Sequence, residues 1–290
     1  MRRHHSRTRR GKSKTVKLAS LGVIPACAIG AVFVASAMNS SDEVDANFCY
    51  ARAEQQDIVA FIDNSVTSHL TEPQRRDLEH AIRKPYGTLK PNGRYSIATT
   101  AADQNASIVR ADFSICRPPT SSEEQSSIDA PMMTGAQLGL RTDEATAAFE
   151  HEIVNVLADA LDAEKAAGDS PIIEQLQGIS RMAEFTGADR ELIVVTDGVQ
   201  NSRHGRFCSV KGELPSFEKY AKRERYQEVK PRSYAGVNVS LYLVDIGPLP
   251  QPAMPFCTHD EIRQFWTDYF YANGARNVEV TPLRQWAGQG

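Results

Sequence analysis

Apolar positions along this chain follow two rhythms. Continuous apolar runs at 58–62 (IVAFI), 192–196 (LIVVT) and 237–246 (VNVSLYLVDI) have the pattern of strands covered on both faces. Residues 94–100 and 107–116 alternate polar and apolar around a short polar turn, which predicts a hairpin, and 277–281 (NVEVT) predicts a last strand. Helical spacing fills the gaps. Thr71 with Gln74 forms a capping box that opens one helix, and Thr258 with Glu261 opens another that runs to about 272. Residues 144–166 carry Phe149, Ile153, Val156, Leu157 and Leu161 on one stripe, and 171–185 forms a further helix. Residues 216–229 predict a charged, exposed helix with Tyr220 and Tyr226 at its surface, and 117–135, rich in Pro, Ser and Glu, predicts a surface loop. Strands alternating with helices imply an α/β fold. We expect a doubly wound, mostly parallel six-stranded sheet with one antiparallel edge strand. Ligands of such sheets bind at the carboxyl ends of the strands.

The first part of the chain follows a different pattern. Residues 18–38 are 21 positions without a charge, enough as a helix to cross roughly 30 Å of hydrocarbon. Residues 1–17 carry five Arg and three Lys and no acid, so the tail would stay in the cytoplasm. Ala35-Ser36-Ala37 offers a cleaved signal peptide as the alternative. Either reading places the body outside the cytoplasm. The expected organisation is a basic cytoplasmic tail (1–17), a membrane helix or signal anchor (18–38), a polar stalk (39–54) and a globular domain (55–290). The expected site is a bacterial inner membrane, crossed once, with the domain in the periplasm. The whole chain of 290 residues has a net charge of −3, but beyond the tail 25 basic residues face 36 acidic ones. That balance of −11 argues against a nucleic-acid partner.

Three short pieces fall at the expected carboxyl ends. Asp63-Asn64-Ser65-Val66-Thr67 follows the first strand and reads D-x-S-x-T. Thr196-Asp197-Gly198 follows the fourth, and Gly168-Asp169-Ser170-Pro171 opens the helix before it. With these residues the chain resembles the von Willebrand factor A domain and its metal-ion-dependent adhesion site, over about residues 55 to 285. The resemblance implies Mg²⁺ or Mn²⁺ held by Asp63, Ser65, Thr67, Ser170 and Asp197. Thr67 stands for the family's second Ser and Ser170 for its lone Thr, so both hydroxyls are kept. The helix after the first loop starts late, near Thr71, which displaces Thr67. Hydroxyl oxygens with few carboxylates suit a hard cation that keeps coordination positions open. The plain alternative is that Asp63 and Asp197 cap helices and bond loop amides.

Of five cysteines, Cys27 lies in the apolar run and four lie in the body. An even number in an oxidising compartment implies two disulfides. The strand order puts Cys208 and Cys257 at the top rim and Cys49 and Cys116 at the bottom, so we expect those two pairings. Asn201 and His204 lie in the loop after Thr196-Asp197-Gly198 and are candidates for contact with a partner, although an exposed loop histidine explains His204 equally. His69 reads as surface. The aromatic cluster at 265–270 reads as core, and an exposed Trp266 would mark a partner patch. Enzyme motifs fit less well. Phosphotransferases of the haloacid-dehalogenase type need a second Asp where Ser65 stands, and G-x-S-x-G, P-loop and H-E-x-x-H motifs do not occur. A Ser65, His204, Asp197 triad can be composed, but no spacing favours it. The expected function is a membrane-anchored binding module for a protein partner whose carboxylate completes the metal shell, with no small-molecule cofactor. A metal-assisted phosphatase or hydrolase using the same acids, and a metal-free scaffold, are the alternatives.

Overall fold

The sheet is built outward from β1 (Gln56–Ile62), which is buried from Asp57 to its end in a computed structural model of the protein. The structure describes residues 44–50, 56–67, 70–100, 109–161, 169–208, 214–245 and 257–283. The tail, the apolar run and most of the stalk lie outside the described residues, as does His69. Among the described residues no helix is long and apolar enough to cross a membrane. β1 runs parallel to β2 (Arg94–Thr99) on one side and to β4 (Asp189–Thr196) on the other, with Ile62 opposite both Thr99 and Val195. β3 (Phe113–Cys116) joins β2 antiparallel, and β5 (Asn201–Ser202) pairs with β6 (Gly205–Arg206) in a separate small hairpin. β7 (Asn238–Val244) and β8 (Asn277–Leu283) complete the sheet in the order β3-β2-β1-β4-β7-β8. The mostly parallel sheet with an antiparallel edge strand is thus as expected.

Alternate residues of the central strands face opposite layers, because side chains along a strand alternate. Ile58, Ala60, Ile62, Ile193 and Val195 pack on α2 (Glu72–Thr88) and α4 (Gly135–Leu161). Val59, Phe61, Leu192 and Val194 pack on α5 (Ile172–Ile179) and, after the short α6 (Phe217–Ala221) and α7 (Glu224–Val229), on α8 (His259–Ala272). Two short helices complete the set, α1, the single turn Asn64–Thr67, and α3, Ser122–Ser127.

Several boundaries differ from expectation. The 117–135 segment holds α3, because Ser121 accepts from the Glu124 amide and Glu124 in turn pairs with Arg117 at 2.8 Å. α4 starts at 135, nine residues before the start expected at 144, where Thr134 and Gln137 form a reciprocal cap. Gly135 and Gly139 hide that start, since glycine lowers helix propensity. The helix expected over 171–185 ends at Ile179 and a 3₁₀ turn follows at Ala183–Phe185. The exposed helix expected over 216–229 is broken at Arg223, whose backbone is extended. Tyr220 and Tyr226 are buried, not at the surface, in an aromatic cluster with Phe207, Phe217, Phe265 and Tyr269. Trp266 is also inside, so it marks no partner patch.

Both expected disulfides are formed. Cys49 joins Cys116 with their Cα atoms 5.0 Å apart, and Cys208 joins Cys257 at 5.2 Å. The first fastens the segment before β1 to the amino-terminal end of the sheet, where Asn92 also bonds both backbone groups of Tyr50. The second ties the chain after β6 to Cys257, the residue before the Thr258 cap of α8.

Asp57 is the polar anchor of the amino-terminal end. Its carboxylate is fully buried, takes the Arg94 guanidinium at 3.0 Å and accepts the amides of Thr186 and Gly187 at 2.9 and 2.6 Å. Removing one member of a buried pair strands the other. Asp57→Ala is therefore expected to lower unfolding stability by about 3 kcal/mol, read as a fall in the urea midpoint with an unchanged slope. A change within experimental error would show that Asp57 does not anchor this edge.

Candidate functional site

Where β1 ends, its ladder continues for one more residue: the Asp63 amide donates to the Val195 carbonyl at 2.9 Å. This register places the Asp63 side chain next to Thr196, among the carboxyl ends of β1, β2 and β4. The carboxylate has no solvent exposure. One oxygen accepts from the Ser65 amide (3.1 Å), the Ser65 hydroxyl (2.6 Å) and the Thr100 hydroxyl (3.1 Å). The other accepts from the hydroxyls of Ser170 and Thr196, both at 2.8 Å. A carboxylate out of water requires such donors, because an unpaired buried charge costs several kcal/mol.

Each hydroxyl is set by its own element. Ser65 lies in the α1 turn, and Thr100 directly follows β2, where it also accepts the Asn64 amide at 3.2 Å. Thr196 closes β4 and accepts the Gly198 amide at 3.0 Å. Ser170 is held by a two-way backbone bridge to Asn201, at 3.0 and 2.8 Å. The small hairpin of β5 and β6 thereby fixes the height of Ser170 above the sheet.

Asp197 is the second acid. It keeps some accessible surface, and one of its oxygens accepts the Val199 amide at 2.7 Å. Burial of its carboxyl, with the charge of Asp63 adding to it, pushes the pKa up to about 8. The next residue, Gly198, has φ +75°, and a Cβ there would sit 2.5 Å from Ile262 and 2.8 Å from the Trp266 indole nitrogen. Only glycine fits this close turn. Trp266 closes it by donating to the Gly198 carbonyl at 3.0 Å.

Of the expected ligands, Asp63, Ser65 and Ser170 meet directly and Asp197 stands beside them. The side chain of Thr67 lies outside the described residues. Thr100 and Thr196 belong to the cluster and were not among the expected ligands. A hydroxyl at the carboxyl end of each strand beside β1 was the signal available for both. Asn201 contributes its backbone to Ser170, and its side-chain amide reaches Asp169 at 3.3 Å.

His204 is not on an exposed loop. It is buried, with Nδ1 2.6 Å from a Glu174 oxygen and Nε2 3.3 Å from Glu228. Gln200, fully buried, links the same group: it donates to Glu174 and Ser202 and accepts the Ile173 amide. The histidine thus braces the hairpin. Ser65 bonds Asp63 and His204 bonds glutamates, so the Ser65, His204, Asp197 triad is not assembled.

The donor set is oxygen alone: two carboxylates and several hydroxyls. Among the described residues no group of three or more His, Cys, Asp or Glu is placed to hold a metal. A hard cation that prefers oxygen and tolerates alcohol ligands fits this chemistry.

No protein-family model matches the chain, and no curated protein matches it. Among solved structures it is similar to the human COPII-coat protein Sec24c, with 10% sequence identity and a TM-score of 0.35. That likeness covers 80% of this chain and 30% of the other, so the chain spans less than a third of that protein's length.

The raised Asp197 carboxyl has a consequence for stability. An acid raised on folding favours the folded state while protonated, and that contribution is lost as pH climbs from about 4 through about 8. In the presence of EDTA, Asp197→Asn should therefore melt higher than the parent, by a margin that widens between those pH values. A margin constant with pH would contradict the assignment.

Proposed function

We propose that this chain is a von Willebrand factor A-like binding module, carried outside the cytoplasm on an amino-terminal membrane anchor of a bacterial inner membrane. Its partner would be a protein. The observation that supports this reading most is the Asp63 carboxylate at the end of β1, ringed by hydroxyls from four separate elements with Asp197 alongside. Asp63, Ser65, Ser170 and Asp197 would hold Mg²⁺ or Mn²⁺, joined by Thr67 in the family pattern. A cation there would offset the charge of two neighbouring acids and leave a coordination position for a carboxylate of the partner. The residues' own task is to hold the oxygens at one height: β1 and β4 set Asp63, and the hairpin sets Ser170. The two disulfides accord with an oxidising compartment.

The same geometry favours one other reading. Asp63 already receives five donors, which is enough to satisfy a buried carboxylate without a metal. On that reading the cluster is a structural clamp and the module binds its partner elsewhere.

Calorimetric titration with Mg²⁺ and Mn²⁺ separates the two. The protein is expected to give a saturable heat that Asp63→Ala and Asp197→Ala each abolish. Equal heats in the parent and both variants, or none in the parent, would favour the clamp. Mg²⁺-dependent release of phosphate from an aryl phosphate, lost in Asp63→Ala, would instead support a metal-assisted phosphatase.

A further inference from the structure

The body is acidic, yet one stretch of it is not. Residues 203–232 hold nine Lys and Arg against four Glu. In the fold the described part of this stretch brings the hairpin tip against α6 and α7 as one face. The tip of the hairpin carries Arg203, whose carbonyl accepts from the Arg225 guanidinium at 3.3 Å, and α6 adds Tyr220, which donates to the His204 carbonyl at 3.2 Å. Arg223 lies over the Tyr220 ring, 5.8 Å from its centre. Arg203, Arg206, Arg223 and Arg225 are all exposed. Among the described residues none of the four forms an ion pair with a carboxylate. Of the nearby acids, Glu218 pairs with Lys222 at 2.6 Å and Glu228 faces His204, while Glu224 stands exposed between Arg223 and Arg225, so the basic side chains outnumber the acid left among them.

This face continues directly from the candidate metal site, because the hairpin that carries Arg203 and Arg206 is the one bridged to Ser170. We propose that it is the docking surface for an acidic segment of the partner polypeptide. The inference rests on the function proposed above and specifies the partner's chemistry: the carboxylate at the top edge is followed by further Asp or Glu side chains that reach the four arginines. Guanidinium forks pair with carboxylates through two parallel hydrogen bonds, which suits a short run of acids. A nucleic acid or anionic bilayer would bring a wide field of phosphates toward a body that carries −11 outside its basic tail, and that body repels it.

The test is fluorescence anisotropy of a labelled oligoglutamate peptide with the full chain in a neutral detergent, in Mg²⁺ and again in EDTA. The parent should bind, more weakly as salt rises. Replacing all four arginines with glutamine should weaken binding about tenfold or more, while Arg76→Gln, exposed on α2 across the sheet, should leave it unchanged. A charge-reversed protein, Arg203→Glu with Arg225→Glu, should lose oligoglutamate and gain oligolysine while melting at the parent's temperature, which excludes misfolding as the cause. No binding by the parent, or equal binding by the four-arginine variant, overturns the proposal. So does stronger competition by single-stranded DNA or phosphatidylglycerol vesicles than by unlabelled oligoglutamate. Sensitivity to EDTA and Asp63→Ala without sensitivity to the arginines would keep the metal site and remove this face. Sensitivity to the arginines alone would keep the face and remove the metal.

Discussion

A carboxylate with no access to water governs the carboxyl end of this sheet. Asp63 cannot be solvated by solvent, so the protein must solvate it, and it does so with five donors from four elements. Each donor has to arrive at the right height. The β1–β4 register delivers Thr196, the β1–β2 register delivers Thr100, the α1 turn delivers Ser65, and the hairpin bridge delivers Ser170. Positions that look unrelated in the sequence are therefore bound to one requirement.

That requirement extends into a second layer. Ser170 is held by the hairpin, and the hairpin is braced from below by Gln200, Glu174 and His204 and closed at its end by the Cys208–Cys257 disulfide. Gly198 and Trp266 fix the turn that carries Asp197. The second acid sits where burial and its neighbour's charge both raise its carboxyl, a cost that the proposed cation would offset. The hairpin then carries exposed Arg203 and Arg206 rather than acids, on the same element that bridges Ser170.

Much of this was legible in the sequence. Continuous apolar runs marked β1 and β4, and the residues after each run supplied Asp63 and Asp197, because strand ends are where a doubly wound sheet gathers its loops. Strand order was sufficient to pair the cysteines. What escaped was tertiary. Tyr220 and Tyr226 lie in a charged stretch and read as surface, but α6 and α7 fold over α8 and bury them. His204 sits among glycine and arginine and gives no sign of the Glu174 that lies 30 residues before it. Thr100 ends an ordinary alternating strand, and only the pairing of that strand with β1 turns its hydroxyl toward Asp63. The early start of α4 was hidden by two glycines, although Thr134 and Gln137 cap it.

If the proposed reading holds, Asp63 and Asp197 share a cation-binding cavity with the hydroxyls around them. Crystals grown with manganese and measured at its absorption edge would test this most directly. An anomalous peak is expected at roughly 2.1–2.2 Å from oxygens of that cluster, with at least one hydroxyl released from Asp63 to face the ion. A map without manganese at the cluster, in which all four hydroxyls still donate to Asp63, would contradict it.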